Sequence, residues 1–404
     1  MRILFLHKNF PAQFRHLATA MGKSPDHTVV FATGRHEGEI EGVEKHLFRD
    51  NIEVIPQTHI FVQGTETAVK TGQGAYRIAA QLKARHFVPD IIFGHSGWGP
   101  TLFMKDAFPH SKFLAYFEWY YRADSPLYNF DNSTPLSETA ILHSRVRNAP
   151  ILTDLYSCDA GFSPTRWQAD QFPAEYRDKI KVLHDGVDTD FFQPWPKGRR
   201  PLVLPRLNLD LSQAKEIVTY IARGMEPIRG FPQFMKTVEA LQKQRPDCHF
   251  VICGQDRVAY GDPHPKGKSY KEAALEELDL DHSRIHFTGL LPYDEYVQVL
   301  QASSAHVYLT WPFVLSWSTI EAMSCGCPLI ASDTEPVREV INDGENGHLV
   351  DFFDTEAIAA KVGEVLDHPQ DQQGIRQAAR QTVLDHYDLA RTLPQQMAWL
   401  QSFF

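Results

Sequence analysis

Long apolar runs are missing from this 404-residue chain. None approaches the roughly 20 apolar residues that a helix needs to cross a bilayer, so no membrane-spanning helix is expected. Cysteine is scarce too. The five thiols, at positions 158, 248, 253, 325 and 327, are odd in number and form no repeated Cys-x-x-Cys unit. That spacing argues against structural zinc, and reduced thiols in a cytoplasmic protein are the expectation. Positive charge is in deficit: 40 Lys and Arg face 50 Asp and Glu, a formal net charge of −10. A general nucleic-acid binder needs clustered cations to meet phosphates, so no nucleic-acid partner is expected. A small phosphorylated ligand in a local basic pocket stays compatible with that total.

Residues 3–6 are apolar directly behind Met1, without a basic stretch, a long apolar core and a cleavage site, so no signal peptide is expected. Contact with the inner face of a membrane is left open, although Arg15 and His16 are too few to make an anionic-lipid patch. Histidine is plentiful, 19 residues spread from His7 to His386. His282 and His286 lie four apart, but a strand-like stretch begins at 284, so they should not share a helical face. No metal site is expected.

A chain of this length with 43% apolar residues is expected to build two cores. The first half alternates short apolar strands (3–6, 29–32, 90–95, 113–117, 160–162, 181–183) with helical stretches such as 13–21 and 72–84. This βαβ rhythm implies a parallel sheet covered by helices on both faces. Three prolines and a glycine in 193–201 read as linker chemistry. The rhythm then restarts, with strands at 217–222, 249–253, 284–288, 306–309 and 329–331 and helices at 231–244, 294–302 and 319–325. The reading is an N-terminal domain 1–195, a linker region 196–214, a C-terminal domain 215–385, and a terminal helix 386–404 packing back on the body. Ligands of doubly wound sheets bind beyond the carboxyl ends of the strands, so a cleft between two such domains is the expected site.

The most informative residues lie in the second half. Arg223 and Arg229 stand six apart across a turn containing Gly and Pro, where a strand feeds a helix. Planar guanidiniums suit phosphate oxygens, and the helix N-terminus adds peptide dipoles aimed at the same anion. In Trp311-Pro-Phe313-Val-Leu-Ser-Trp-Ser-Thr-Ile-Glu321, a helix is expected to begin near Ser318 with Glu321 in its first turn. Ser316, Ser318 and Thr319 are good cap residues, and the N–H groups of 316–319, Trp317 included, offer a second anion cradle. Glu321 reads either as a helix-start acid favoured by the dipole or as an acceptor for ribose hydroxyls. Asp188-Thr-Asp190 and Asp279-Leu-Asp281 fit a metal-binding pattern but are read as turn and cap chemistry. Tyr116 to Tyr128 holds six aromatics. Tyr116 and Phe117 are expected in the core, whereas Glu118, Trp119 and Tyr121, just past a strand end, are expected to meet an acceptor.

Arg223 with Arg229, the run Glu321-Ala-Met-Ser-Cys-Gly-Cys-Pro-Leu-Ile-Ala-Ser332, and Glu339-Val-Ile-Asn-Asp-Gly-Glu-Asn-Gly-His-Leu-Val350 resemble the donor-binding half of glycosyltransferase family 4. Asp90-Ile-Ile-Phe-Gly-His95 and His184-Asp-Gly-Val-Asp188 extend the resemblance to the first half. It implies the α/β GT-B fold, two Rossmann-like doubly wound domains facing an inter-domain cleft. It also implies that Arg223 and Arg229 grip the diphosphate of a sugar nucleotide, that Glu321 holds the ribose, and that His95 lies against the donor sugar. Gly254 and Gln255 would approach the nucleotide, Leu290 the base, and Gln13, in the loop after the first strand, would also bind the donor. Two departures stand out. The family's first acidic residue, eight before Glu321, is Phe313 here, and the loop after the first strand reads Asn9-Phe10-Pro11-Ala12-Gln13-Phe14 rather than Gly-rich.

The resemblance thus implies a retaining glycosyltransferase that moves a hexose-type sugar from a nucleotide-diphosphate donor to a hydroxyl of a glycan or glycoconjugate. Neither metal nor cofactor is expected, since two arginines and helix ends can neutralise the diphosphate. Phe313 motivates the alternative of a non-catalytic nucleotide-sugar-binding subunit. A nucleotide-sugar epimerase of the same shape is a third reading. The base, the sugar, the acceptor and the oligomeric state are left open.

Overall fold

The computed structural model describes residues 1–49, 53–131 and 136–404. It contains two units, one of residues 1–186 with 390–404 and one of residues 187–389.

In the first unit, seven strands form one parallel sheet: β1 (Arg2–His7), β2 (Thr28–Thr33), β3 (Val43–Leu47), β4 (Ile91–His95), β5 (Lys112–Tyr116), β6 (Ala160–Ser163) and β7 (Ile180–Val182). Their order is β3-β2-β1-β4-β5-β6-β7. Helices cover both faces, so β1 and β4 are apolar almost throughout rather than alternating. The two-residue period still sorts them: Leu4, Leu6 and Ile92 enter one core layer, while Ile3, Phe5 and Phe93 enter the other. The helix Leu389–Gln401 adds Trp399 and Leu400 to the second layer, with the Trp399 ring edge-on to Phe162 at 5.3 Å.

The second unit opens with an antiparallel hairpin, β8 (Leu202–Leu204) and β9 (Leu209–Leu211). A six-stranded parallel sheet follows: β10 (Glu216–Gly224), β11 (Cys248–Gln255), β12 (Ile285–Gly289), β13 (Ala305–Tyr308), β14 (Leu329–Ser332) and β15 (His348–Val350). The order is β12-β11-β10-β13-β14-β15. The stretch expected as a linker, 196–214, is therefore folded. Leu202, Leu204 and Leu211 bury themselves against Val251, Cys253 and Val299. Arg200 stacks on Trp195 at 4.5 Å and its N–H donates to the Gln301 carbonyl. The units divide after Gly186 because Val187 already bonds to Tyr387 and Leu389 through its backbone. No helix among the described residues is long and apolar enough to cross a membrane.

Both sheets reverse their strand order beside their first strand, between β1 and β4 and between β10 and β13. Loops diverge there and leave a crevice at the carboxyl ends. The loop after β4 is anchored from below by Asp154, on the helix Ala149–Ser157, whose carboxylate accepts from the hydroxyls of Ser96 and Thr101, each at 2.8 Å. Burial pushes its pKa up to about 7, outweighing those two donors. Because the folded value lies above the unfolded one, the protonated group's contribution is full below about pH 4 and is lost as pH rises through about 7. The melting temperature of the wild type relative to Asp154→Asn should therefore fall between these pH values and level off above them. A difference independent of pH would contradict this.

Candidate functional site

The second unit gathers its polar groups at the end of β10. The strand runs out through Arg223, and a short 3-10 turn, Pro227–Arg229, precedes the helix Phe231–Gln244. Gly230 between them has φ 67°, and a Cβ there would stand 2.4 Å from Leu309 Cβ, so the turn requires glycine. The turn drives Arg229 inward, leaving it 5% exposed. Its Nη1 donates to Thr310 Oγ1 and the Val314 carbonyl, both at 2.9 Å, and more loosely to Tyr308 Oη at 3.5 Å. Among the described residues no carboxylate forms an ion pair with it. Burial works against the charge, but nearby Tyr308, Tyr260 and Glu226 more than offset it, and the group sits above the ordinary arginine value. It is a permanent buried cation held by uncharged oxygens, an arrangement that favours an incoming anion.

Arg223 is exposed, and its Nη1 donates to Tyr260 Oη at 3.3 Å. The Tyr260 ring centroid lies 5.4 Å from the Arg229 guanidinium and 6.0 Å from that of Arg223. Phe313 meets Tyr260 edge-on at 5.2 Å and lies 5.8 Å from Arg229. The two arginines read from the sequence thus share one aromatic neighbour. The loop carrying Tyr260 is pinned by Glu226, whose Oε2 accepts from the backbone N–H of Ala259, Tyr260 and Gly261 at 2.9–3.0 Å. Gln255 contributes its carbonyl, which accepts from the N–H of both Met225 and Arg257. Gly254 before it has φ 143°, and a Cβ would fall 2.0 Å from the Ala222 carbonyl oxygen.

Glu321 departs from expectation in position. The helix spans Trp317–Ser324, with no acidic residue in its first turn, so Glu321 lies one turn further in and gains little from the dipole. It is 8% exposed, and Oε2 accepts from Tyr296 Oη at 2.7 Å. Ser316 is the cap by backbone, but its hydroxyl pairs with that of Ser318 rather than with a backbone N–H of the first turn, and its own N–H donates to Tyr308 Oη. Thr319 is buried, and Trp317 is half-buried. Leu290, past the end of β12, is 65% exposed. Asp188 Oδ1 accepts from the N–H of Asp190 and Phe191, which is turn chemistry.

In the first unit the ends of β1 and β4 bring His7 and His95 to a ring separation of 4.6 Å. His95 is 2% exposed and stacks on Tyr116, whose hydroxyl donates to Asp185 at 3.1 Å. Burial lowers the His95 pKa, partly opposed by Glu118 and the Ser96 carbonyl. The Ser96 carbonyl can only accept, so Nδ1, 2.8 Å away, carries the proton. Nε2 then turns a lone pair towards Glu118 Oε2 at 3.7 Å, and Gln13 Nε2 donates to Glu118 Oε1 at 3.3 Å. Two adjacent acceptors suit the hydroxyls of a polyol. Of the three expected acceptor residues, Glu118 alone joins this group. Trp119 is 5% exposed, because its ring is packed into the interior, and the Tyr121 ring is covered by Arg147 at 3.8 Å. Tyr260, Tyr296, Tyr308, Thr310 and Glu226 went unnoticed in the sequence. Glu226 sits between the two arginines, and only that position hinted at it.

Two family models match the chain, one described as Glycosyl transferase family 4 group over residues 25–192 and one as Glycosyl transferases group 1 over residues 208–382. Alpha-maltose-1-phosphate synthase of Mycolicibacterium smegmatis is 28% identical over 200 residues, 48% of this chain and 49% of that protein. D-inositol 3-phosphate glycosyltransferase of Streptomyces coelicolor is 25% identical over 221 residues, 51% of this chain and 47% of that protein. The chain thus spans about half the length of these curated relatives. Sucrose-phosphate synthase of Thermosynechococcus elongatus superposes with a TM-score of 0.73 at 18% identity, over 100% of this chain and 99% of that one. HepE of Anabaena in complex with UDP-glucose gives 0.72 at 16% identity, over 100% of both chains. The family models take in both units and the fold is shared end to end; the chain belongs to the family 4-type glycosyltransferases of GT-B fold.

Proposed function

We propose that the protein is a retaining glycosyltransferase that takes a hexose-type sugar from a nucleotide-diphosphate donor and places it on a hydroxyl of a glycan or glycoconjugate. The observation that carries the reading is Arg229, a buried cation without a carboxylate partner among the described residues, beside the exposed Arg223. A diphosphate would place an anion in direct contact with it. Glu321 is assigned to the ribose hydroxyls and His95, with Glu118, to hydroxyls of the sugars. HepE, whose complex contains UDP-glucose, makes UDP the first nucleotide to test.

In this reaction the bond from the sugar's anomeric carbon to the diphosphate oxygen breaks, and a bond to the acceptor oxygen forms on the same face. The acceptor's proton passes to the departing diphosphate. Negative charge grows on that diphosphate in the transition state, so cations already in place stabilise it more than they stabilise the bound donor. With Arg223 and Arg229 to meet the diphosphate, this reading needs no metal. Phe313 favours one competing reading, a subunit that binds the donor without turning it over, because a phenyl ring 6% exposed cannot accept hydrogen bonds from the sugar.

The test is release of nucleoside diphosphate from a panel of sugar nucleotides with several glycan acceptors. Acceptor-dependent release supports the transferase. Donor binding with neither transfer nor donor hydrolysis supports the binding subunit, and product without acceptor an epimerase. Arg229→Ala should lower turnover about 100-fold or more, by analogy with loss of an oxyanion donor, with Arg229→Lys in between. Near-normal transfer by the alanine variant would sink the assignment. His95 works as a neutral acceptor, and its pKa lies below the ordinary 6.5. Turnover should therefore hold down to about pH 6.5 and fall only below it, and the residual activity of His95→Asn should lack that acid limb. An acid limb centred above this value would contradict the assigned role.

A further inference from the structure

Glu226 is the side chain in the second unit that the donor reading leaves unexplained. It is 0% exposed, yet it forms no ion pair among the described residues, although an arginine stands three positions away on either side. Burying a carboxylate with no cation in direct contact is costly unless hydrogen bonds replace its hydration. Here three backbone N–H groups, those of 259, 260 and 261, converge on Oε2, while Oε1 is buried without a hydrogen-bond partner. Successive N–H groups of this kind form a nest for an anion.

The segment so fixed lies in a long irregular connection, 256–269, between β11 and the helix Tyr270–Glu277. Irregular connections of this length in a compact domain tend to be functional. Among its side chains, Tyr260 is the one that reaches the arginines, its hydroxyl bonded to Arg223 and its ring near both guanidiniums. The backbone of Glu226 serves the same end, since its carbonyl accepts from the N–H of Arg229 and of Phe231. One residue thus holds the turn that aims Arg229 and the loop that lays Tyr260 against it.

Resting on the nucleotide-donor reading above, we infer that Glu226 is a positioning residue for the cation pair. By seating residues 259–261 it holds Tyr260 between Arg223 and Arg229, and so fixes both guanidiniums before the diphosphate arrives. A guanidinium held in place beforehand loses less freedom on binding, so the effect appears as affinity for the diphosphate. Because Glu226 acts through Tyr260, removing Tyr260 should make Glu226 dispensable. A simple charge effect of Glu226 on Arg229 would persist without the tyrosine.

The experiment is a double-mutant cycle on binding, measured by calorimetry with whichever of ADP, GDP, UDP, CDP and TDP stabilises the wild type most. Glu226→Gln and Tyr260→Ala should each weaken binding about tenfold, in the range of a lost guanidinium–ring contact, and the double variant should bind like Tyr260→Ala alone. Tyr260→Phe, which keeps the ring, should recover most of the loss. If Glu226→Gln does not fold, Glu226→Asp, with its shorter reach, takes its place with the same expectation. Losses that multiply in the double variant, or binding by the Glu226 variant within about twofold of wild type, would overturn the inference. Arg229→Ala separates the two claims. If it leaves binding unchanged, the nucleotide reading itself fails. If it abolishes binding while the cycle is additive, only the positioning role falls.

Discussion

A guanidinium that cannot lose its charge is buried at the end of β10 and held by neutral oxygens. Taking such an ion out of water is expensive, and hydrogen bonds to Thr310 and Val314 recover part of the cost while leaving the charge in place. Much of the second unit is arranged around that choice. Gly230 turns the chain tightly enough to aim Arg229 inward, and β13 ends where Tyr308 and Thr310 can meet it. Gln255 ties the arginine turn to the loop that brings Tyr260.

The first unit solves a complementary problem at the matching place in its own sheet. There the strand ends carry His7 and His95 rather than arginines, and burial keeps His95 neutral. A neutral imidazole beside the Glu118 carboxylate offers acceptors, which suits hydroxyls; the second unit offers donors and positive charge, which suits phosphate. The two sheets share a strand order and a switch point, so the division of labour comes from the few side chains placed there and not from the architecture.

Legibility followed periodicity. Strands such as β4 and β10 show in the sequence because strands buried on both faces are runs of apolar residues, and the helix Phe231–Gln244 shows its stripe clearly. Arg223 and Arg229 were visible from their spacing across a turn. Glu226 and Tyr260 were not, because their meeting depends on an irregular loop with no period to read. The Pro-rich stretch before residue 202 misled for a related reason: its prolines and Trp195 signal a linker, while the short Leu202–Leu204 strand that buries itself is too brief to register. Glu321 stands out in the sequence, but the helix begins earlier than its cap residues imply, which places it beyond the first turn. Trp119 shows the limit of reading aromatics. A ring past a strand end can stack on a ligand or fill the core, and only packing decides.

At the centre is the proposal that Arg229 binds the diphosphate of a nucleotide. It is tested most directly by comparing the affinity of nucleoside, nucleoside monophosphate and nucleoside diphosphate for the wild type and for Arg229→Ala. Affinity should rise with each phosphate in the wild type, and the step from mono- to diphosphate, about tenfold or more for one charge-assisted contact, should shrink in the variant. An increment of the same size in both proteins would contradict it.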